Sequence, residues 1–288
     1  MENFPSVLIG TVTSKRHDYV FDRFISALKE IDYPNFEILV VVTDKDDDYY
    51  NQLKKTKGIS VCKAQYRILK FSRLANAKNI LRNVVLGLMD SRSYDYLFHV
   101  DSDVIVPKDA LTKLIFHKKK MVGAPVPIGD KKDPNRVPCV LKNFKRNMDG
   151  TINYYLMEEL GDELIKVPAC GVGCLLIHRS VLQNIYFKNA KCLDWADDIT
   201  FLAECHAKGY DSWCDPTIVV EHDNVRWEEV VNQEVDELKC RFEEIKDKLN
   251  NCKKLKGSLK EITPRLSGLP EVVNEYDIIE KGVQYKIW

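Results

Sequence analysis

The sequence lacks any apolar run that approaches the ~18 residues needed for a membrane-spanning helix. Its opening segment, Met1–Pro5, is too short and too polar for a secretory signal. The nine cysteines are odd in number and scattered, and no Cys-x-x-Cys pair occurs, so neither a disulfide framework nor a zinc knuckle is indicated. We therefore expect buried thiols in a reducing, cytoplasmic setting, with membrane contact only through a lipid-linked substrate.

The sequence also has no net charge, because 43 basic residues balance 43 acidic residues over its 288 positions. A dedicated nucleic-acid-binding protein normally carries a basic excess, so we expect no nucleic-acid partner. Hydrophobic residues make up 45% of the chain and charged residues 30%, which is typical of a globular protein and argues against a long disordered chain.

Strand and helix patterns alternate through the first 100 residues. Parallel strands joined by right-handed helical crossovers give this alternation, which predicts the start of a doubly wound sheet. The predicted strands are Ser6–Val12, Phe36–Val42, Ile59–Ala64 and Tyr94–Val100. The predicted helices are His17–Glu30, Arg73–Asp90 with Leu88 on its buried side, and one that begins at Pro107.

The pattern after Met121 differs from that of the first half. Asp149-Gly150 separates two alternating segments, which predicts a β-hairpin. Further strands are predicted at Cys170–Ile177 and Thr217–Glu221, and helices at Arg179–Tyr186 and Asp197–Lys208. We therefore expect one α/β domain over residues 1–225, with halves at 1–120 and 121–225, built on a doubly wound mixed sheet with helices on both faces.

Residues 226–288 are predicted to form a helical extension with an apolar stripe. A stripe at alternating spacings of four and three residues indicates a helix that either packs on the preceding domain or pairs with a second copy as a homodimer. The stripe consists of Val231, Val235, Leu238, Phe242, Ile245, Leu249 and Cys252.

The most informative polar motif is Asp101-Ser102-Asp103, which directly follows a predicted strand. Ligands of open α/β sheets bind at the carboxyl ends of the strands. Carboxylates at that edge can hold a hard divalent cation, which can in turn hold a diphosphate. A turn after a strand also favours aspartate for structural reasons, so the motif indicates a ligand site only together with the motifs around it.

Several motifs, in order along the chain, resemble those of nucleotide-sugar-dependent glycosyltransferases of the GT-A fold, most closely the family 2 type. The resemblance extends from about Ser6 to Asn224. The motifs are Val7–Thr13, Glu37–Asp44, Asn76–Asn79, Asp101–Asp103, Cys170–Cys174, Ala196–Asp198 and Val219–His222.

The resemblance implies a metal-dependent glycosyltransferase that moves a sugar from a nucleoside-diphosphate sugar to an acceptor hydroxyl, with inversion. It implies Asp198 as general base with Asp197 as its competitor, and Mn²⁺ or Mg²⁺ held by Asp103, His222 and Asp101. UDP is the favoured nucleotide and GDP the alternative, while the acceptor is a glycan, a lipid-linked molecule or a protein. The implied donor-binding residues are Thr11, Thr13, Asp44, Lys78, Asp101 and Ser102, and the implied acceptor-binding residues are Trp195, Gly171 and Gly173.

The sequence departs from the family pattern at two positions. Lys78 stands where arginine is usual, which keeps the charge but loses the planar fork that binds phosphate in two places. Asp197 stands where glutamate is usual, which shortens the side chain by one methylene.

Three other functions compete with this interpretation. Asp101–Val104 also fits the nucleophile motif of haloacid-dehalogenase-like phosphohydrolases, although that motif usually follows the first strand of its domain. A sugar-1-phosphate nucleotidyltransferase shares the general architecture but needs a glycine-rich loop after the opening strand, and Thr13–Arg16 contains no glycine. A non-catalytic carbohydrate-binding or scaffold protein is the third alternative.

Overall fold

A computed structural model of the protein describes residues 4–67, 70–89, 92–128, 136–146, 152–188 and 197–223. The predicted helical extension over 226–288 and the homodimer through it lie outside the described residues and stay predictions. Trp195 also lies outside them.

The described residues form strands and helices in an α/β order that matches the predicted class. The strands are β1 (Val7–Thr13), β2 (Phe36–Val42), β3 (Ser60–Lys63), β4 (Tyr96–Val100), β5 (Val104–Ile105), β6 (Met121–Gly123), β7 (Pro127–Ile128), β8 (Val137–Pro138), β9 (Val140–Arg146), β10 (Ile152–Leu156), β11 (Ile165–Val167), β12 (Ala169–Cys170), β13 (Cys174–His178), β14 (Ser212–Cys214) and β15 (Glu221–His222). The helices are α1 (Asp18–Lys29), α2 (Asp48–Leu53), α3 (Lys70–Val85), α4 (Ala110–Phe116), α5 (Arg179–Asn184) and α6 (Asp197–Ala207).

The centre of the fold is an eight-stranded mixed sheet in the order β11-β14-β6-β13-β4-β1-β2-β3. The strands β3, β2, β1 and β4 are parallel, as the alternation of helix and strand predicts. The strand β13 runs antiparallel to both β4 and β6, which makes the second half of the sheet mixed. The predicted fold class is therefore confirmed.

Both faces of the sheet are covered by helices, which is why its central strands are apolar on both sides. Successive residues of a strand point to opposite faces. Accordingly Leu97 of β4 packs in one core with Leu81 of α3 and Phe201 of α6, whereas the next residue, Phe98, packs in a second core with Phe24 of α1. Within the described ranges, no helix combines the length and apolar character that crossing a membrane requires.

The predicted hairpin of the second half is confirmed, because β9 and β10 pair antiparallel. The predicted strand at Cys170–Ile177 is broken into β12 and β13 by the turn at Gly171–Gly173. The strand β14 forms an unpredicted part of the central sheet, beside β6.

Helix α3 ends earlier than its apolar pattern predicts, and the predicted burial of Leu88 is wrong. Gly87 has a φ of +70°, the left-handed conformation that ends many helices. The N–H groups of Gly87 and Leu88 bond to the carbonyls of Val84 and Asn83 at 3.0 and 2.9 Å, which closes the last turn. Leu88 therefore leaves the helix and is 67% exposed.

Two further boundaries differ from the predictions. The helix predicted to begin at Pro107 begins at Ala110. The predicted strand at Thr217–Glu221 begins in a turn at Thr217, where the Asp215 carboxylate accepts hydrogen bonds from the Thr217 N–H at 2.9 Å and its hydroxyl at 2.7 Å. These local bonds replace strand pairing, and only Glu221–His222 remains extended.

Candidate active site

The carboxyl ends of three neighbouring parallel strands carry polar side chains at one edge of the sheet. Asp44 follows β2, Thr13 ends β1, and Asp101 follows β4. Because β1 pairs with both β2 and β4 in parallel, these ends lie side by side. This is the edge at which open α/β sheets bind ligands.

Asp103 and His222 are brought together although they are far apart in sequence. The short strand β15 pairs antiparallel with β5 and sets His222 opposite Val104, next to Asp103. The Asp223 N–H also donates to the Asp103 carbonyl at 2.7 Å, so a backbone hydrogen bond joins the residue after β15 to the residue before β5. His222 Nε2 then lies 3.4 Å from Asp103 Oδ2.

The surroundings of His222 leave one ring nitrogen facing Asp103. Its Nδ1 lies 2.7 Å from the Pro127 carbonyl oxygen, which can only accept, so the Nδ1 proton is fixed there. Burial lowers the pKa of His222, but the hydrogen bond and charge of Asp103 outweigh it and the pKa is raised. Burial likewise raises the pKa of Asp103, but the hydrogen bond and charge of His222 outweigh it, and the net shift is downward.

The distance between the Asp103 and His222 side chains fits the distance between two ligand atoms of one divalent cation. Two ligands at about 2.1 Å from a cation, at an angle of about 90–110°, lie about 3.0–3.4 Å apart, which includes the 3.4 Å between His222 Nε2 and Asp103 Oδ2. A histidine ligand usually donates its other N–H to a backbone carbonyl, as His222 does to Pro127. Among the described residues, no group of three or more His, Cys, Asp or Glu side chains is placed to hold a metal ion. The two residues can therefore bind a cation only together with ligand or water oxygens.

Asp101 lies in the open part of the site. Its side chain is 47% exposed, compared with 10% for that of Asp103. The Asp101 N–H donates to the Gly173 carbonyl at 3.0 Å. A Cβ added to Gly173 would lie 2.9 Å from Asp101 Oδ2, so the absence of a side chain at Gly173 makes room for this carboxylate.

Asp198 lies at the second position of α6, and its Oδ1 accepts the Ile199 N–H at 2.7 Å. Burial raises the pKa of the Cys139 thiol to about 12, and the charges of Asp198 and Asp101 add to this rise. The charges of both carboxylates therefore act on the same thiol. Asp197 begins the same helix.

The predicted donor-binding residues differ in how accessible they are. Thr11 is fully buried, and its hydroxyl has no hydrogen-bond partner among the residues that the structure describes. Thr13 is also buried, while Ser102 is 1% exposed and its Oγ lies 2.8 Å from His17 Nδ1. Asp44 is half-buried and accepts the Lys15 N–H at 3.0 Å. Of these four, Asp44 is the most open to a ligand.

Two other predicted residues are engaged in packing. Lys78 is 6% exposed, and its Nζ lies 5.8 Å from the centre of the Phe187 ring. Phe187 in turn stacks on Phe201 of α6, so Lys78 lies between α3 and α6. A Cβ on Gly171 would lie 2.6 Å from Cys139 Sγ, which makes close packing a sufficient reason for glycine there.

His17 and Arg136 border the site and were missed from the sequence. His17 contacts Ser102, and its charge helps to lower the pKa of Asp103, after burial and His222 in magnitude. Arg136 donates from Nη2 to the carbonyl of Pro127 at 3.1 Å and to that of His222 at 3.4 Å. The position of His17 just after the opening strand is the sequence signal that could have identified it.

Comparison with known proteins places this arrangement in a family. The sequence model described as Glycosyl transferase family 2 matches residues 13–186, which is more than half of the 288-residue chain. The chain belongs to glycosyl transferase family 2. No curated protein matches its sequence.

Solved structures of glycosyltransferases share the fold of this family 2 member. GalNAc-T7, crystallised with UDP, GalNAc and Mn²⁺, is 12% identical and superposes with a TM-score of 0.56 over 77% of this chain and 44% of its own. The mannosyltransferase PcManGT of Pyrobaculum calidifontis, in complex with GDP-Man and Mn²⁺, is 16% identical, with a TM-score of 0.50 over 77% of this chain and 58% of its own. The chain thus matches about half the length of these proteins, and the likeness shows the GT-A fold.

Proposed function

We propose that this family 2 member is a metal-dependent glycosyltransferase that moves a sugar from a nucleoside-diphosphate sugar to an acceptor hydroxyl. The observation that carries the proposal is the pair of Asp103 and His222, 3.4 Å apart at the ligand-binding edge of the sheet. A second carboxylate, Asp101, precedes this pair in the same turn, and the charges of Asp101 and Asp198 both act on Cys139. A cation site next to an unliganded carboxylate is what this reaction needs.

Asp103 and His222 would hold Mn²⁺ or Mg²⁺, with Asp101 assisting through a water molecule or the donor ribose. When bound, the cation supplies charge neutralisation for the departing nucleoside diphosphate. Both similar structures named above were crystallised with Mn²⁺ and a uridine or guanosine nucleotide, which supports this choice of partners. UDP-sugars are the favoured donors and GDP-sugars the alternative.

The donor nucleoside would lie across the ends of β1 and β2. Asp44 is the half-buried acceptor there, close to the basic loop Lys15–His17 that follows β1. Burial raises the pKa of Asp44, while the hydrogen bond from Lys15 opposes the rise. Thr11 and Thr13 would line the floor beneath the nucleoside, and Ser102 would support the loop by its contact with His17.

Asp198 would be the general base. The cation would engage Asp101 and Asp103, whereas Asp198 lies at the start of α6, where the helix N-terminus favours a negative charge. Asp198 would take the proton of the acceptor hydroxyl as the acceptor oxygen bonds to the anomeric carbon and the bond from that carbon to the diphosphate breaks. Attack from the side opposite the leaving group inverts the anomeric centre. Gly171, Gly173 and Trp195 would line the acceptor side, for a glycan, lipid-linked or protein acceptor.

The proposed activity is tested by incubating the protein with a panel of UDP- and GDP-sugars and measuring the released nucleoside diphosphate. We expect release with at least one donor in MnCl₂ or MgCl₂, and none in EDTA. Asp103→Asn should abolish the release, whereas the control Asp109→Asn should not, because Asp109 pairs with Lys113 on the exposed surface of α4. Release that is unaffected by EDTA and by Asp103→Asn would contradict the proposed metal-dependent mechanism.

The competing functions gain no support from the structure. The Asp101–Asp103 motif follows the fourth strand of the domain, whereas a haloacid-dehalogenase-like nucleophile follows the first. The loop after β1 forms a short 3₁₀ turn at Lys15–His17 without a glycine, unlike the loop of a nucleotidyltransferase.

A further inference from the structure

The strand that carries His222 has little support of its own. Strand β15 is two residues long and, within the described part of the chain, pairs only with β5, in a two-stranded ribbon outside the eight-stranded sheet. Such a short ribbon cannot hold a side chain in one orientation without help from its neighbours. The direction in which His222 faces therefore depends on what else holds β15.

Helix α1 provides that support through two residues one turn apart, Tyr19 and Arg23. Residues four apart on a helix share a face. The Tyr19 hydroxyl donates to the Asp223 carbonyl at 2.7 Å. Arg23 Nη1 donates to Glu221 Oε1 at 3.1 Å and to Asp223 Oδ2 at 3.0 Å, and its Nη2 bonds to Glu221 Oε2.

The geometry of an extended chain explains why these contacts bear on His222. Alternate residues of a strand point to the same side. Glu221 and Asp223 both point to Arg23, and His222 between them points the other way, to Asp103 and Pro127. Holding residues 221 and 223 on one side fixes the direction of residue 222 on the other.

We propose that Arg23, together with Tyr19, is a positioning residue that holds His222 in the orientation for binding the divalent cation. This inference rests on the proposed function, because it assigns the cation to Asp103 and His222. The hydrogen bonds of Arg23 to other described side chains go to Glu221 and Asp223, not to Asp103 or His222. Its effect passes through the backbone of β15.

A positioning role and a purely electrostatic role predict opposite results for Arg23→Met and the same direction for Glu221→Gln. Arg23→Met removes a positive charge near the cation site, so electrostatics alone would strengthen cation binding. Glu221→Gln removes a negative charge and would weaken it. If the contacts act by holding β15, both variants weaken binding, and Tyr19→Phe, which changes no charge, weakens it too.

The test measures free Mn²⁺ by electron paramagnetic resonance while MnCl₂ is titrated into the protein with UDP or GDP present. We expect Arg23→Met and Glu221→Gln each to weaken Mn²⁺ binding about tenfold, the smaller loss typical when outer partners of metal ligands are removed. Tyr19→Phe should weaken it in the same direction, and Arg23→Lys should restore part of the loss. The double variant of Arg23 and Glu221 should be no weaker than Arg23→Met alone, because Arg23→Met already removes the contact with Glu221.

The matched control is Arg92→Met. Arg92 forms a similar ion pair with Glu37 at 2.7 Å, but this pair lies on an exposed surface with side chains 68% and 49% exposed. Its loss should leave Mn²⁺ binding unchanged. Because the Arg23 network is also partly exposed, all variants should keep a thermal midpoint within about 4 °C of the unmodified protein.

The outcomes separate this inference from the proposed function. If the unmodified protein binds Mn²⁺ with UDP or GDP and Arg23→Met binds it equally or more tightly, Arg23 is not a positioning residue and the proposed function stands. If the unmodified protein shows no Mn²⁺ binding with either nucleotide, the cation site is wrong and both proposals fall.

Discussion

Among single residues, Asp198 differs from the other carboxylates of the site in what surrounds it. Asp103 is paired with His222, and Asp101 lies in the same Asp-x-Asp turn, so a bound cation would engage both Asp101 and Asp103. Asp198 lies on another element, at the start of α6, and one of its carboxylate oxygens accepts a hydrogen bond from the Ile199 N–H. In the proposed mechanism, this separation would let Asp198 act as the base while Asp101 and Asp103 act on the donor.

We expect Asp198→Asn to lower turnover by about 10²- to 10⁴-fold, the usual contribution of general base catalysis. The amide keeps the shape of the side chain but cannot accept a proton, so donor affinity should change little. Steady-state rates and donor affinity, measured for Asp198→Asn beside the matched variant Asp197→Asn, test this. Normal turnover by Asp198→Asn with an inactive Asp197→Asn would assign the base to the neighbouring residue.

Asp215 is a buried carboxylate with a structural role outside the site. It lies 2.7 Å from His117 Nε2 and accepts two hydrogen bonds from Thr217. Because its removal leaves these donors unpaired, Asp215→Ala should lower the free energy of unfolding by about 2–4 kcal/mol. The exposed neighbour Asp211, paired with Lys166, is the control, and Asp211→Ala should cost less than about 0.5 kcal/mol in urea unfolding.

The pH dependence of this contribution follows from the pKa of Asp215. Burial raises that pKa, but the hydrogen bonds from His117 and Thr217 outweigh burial and lower it below the ordinary value. A carboxyl with a lowered folded pKa stabilises the protein above its unfolded pKa of about 3.9 and loses that effect as the pH falls through the folded pKa. The stability difference between the unmodified protein and Asp215→Asn should therefore shrink as the pH is lowered from 6 towards 3. A difference that grows instead would show that the ionised form is not the stabilising one.

Among the elements, the turn between β12 and β13 shows how tightly the second half is packed around the site. The Gly171 N–H donates to the Cys139 carbonyl at 2.8 Å, and a Cβ on Gly171 would lie 2.6 Å from Cys139 Sγ. We expect Gly171→Ala to lower the free energy of unfolding by about 1–3 kcal/mol through overpacking. Cys139→Ala in the same chain should recover part of the loss, because the nearest atom is then absent.

The control for this change is Gly161→Ala, since nothing lies within 4 Å of a Cβ there. Urea unfolding of the three variants gives the comparison. If Gly171→Ala is as stable as Gly161→Ala but has a raised acceptor KM, glycine at position 171 serves acceptor contact rather than packing.

Elements with strong local patterns were predictable from the sequence. The continuous apolar run of β2 and the helical spacing of α1 gave their bounds to within one residue, because burial on two faces or on one stripe leaves a regular pattern. The late strands were not predictable in this way. Strands β14 and β15 have three and two residues, too few for a period, and their extended form comes from pairing with distant strands β6 and β5.

The site was predictable to the extent that its residues share motifs with a family. Asp103 and His222 were assigned together from the resemblance, and the pairing of β15 with β5 brings them into contact. Arg23 and Arg136 had no such signal, and His17 had only its position just after the opening strand. Each acts through a contact with a residue far along the chain, and single charged residues on a helix or loop look like ordinary surface positions.

For the molecule as a whole, the apolar stripe of residues 226–288 predicts a buried helix. Exposure of such a stripe would promote aggregation, so it must pack on the domain or on a second copy. Replacing Leu238 and Ile245 together by Glu should lower solubility or change the mass measured by light scattering. The control replaces Lys246 and Lys248, which lie off the stripe, together by Glu. A Leu238/Ile245 variant of unchanged mass, solubility and stability would show that the stripe is not buried.

The central claim is that Asp103 and His222 bind a divalent cation that holds the nucleoside diphosphate. Calorimetric titration of UDP and GDP, with MnCl₂ and with EDTA, tests it most directly on the unmodified protein, Asp103→Asn and His222→Ala. We expect at least one nucleotide to bind in a way that requires Mn²⁺, is lost in Asp103→Asn, and is weakened less in His222→Ala because water can take one coordination position. Equal Mn²⁺-dependent binding by the unmodified protein and Asp103→Asn would contradict the claim.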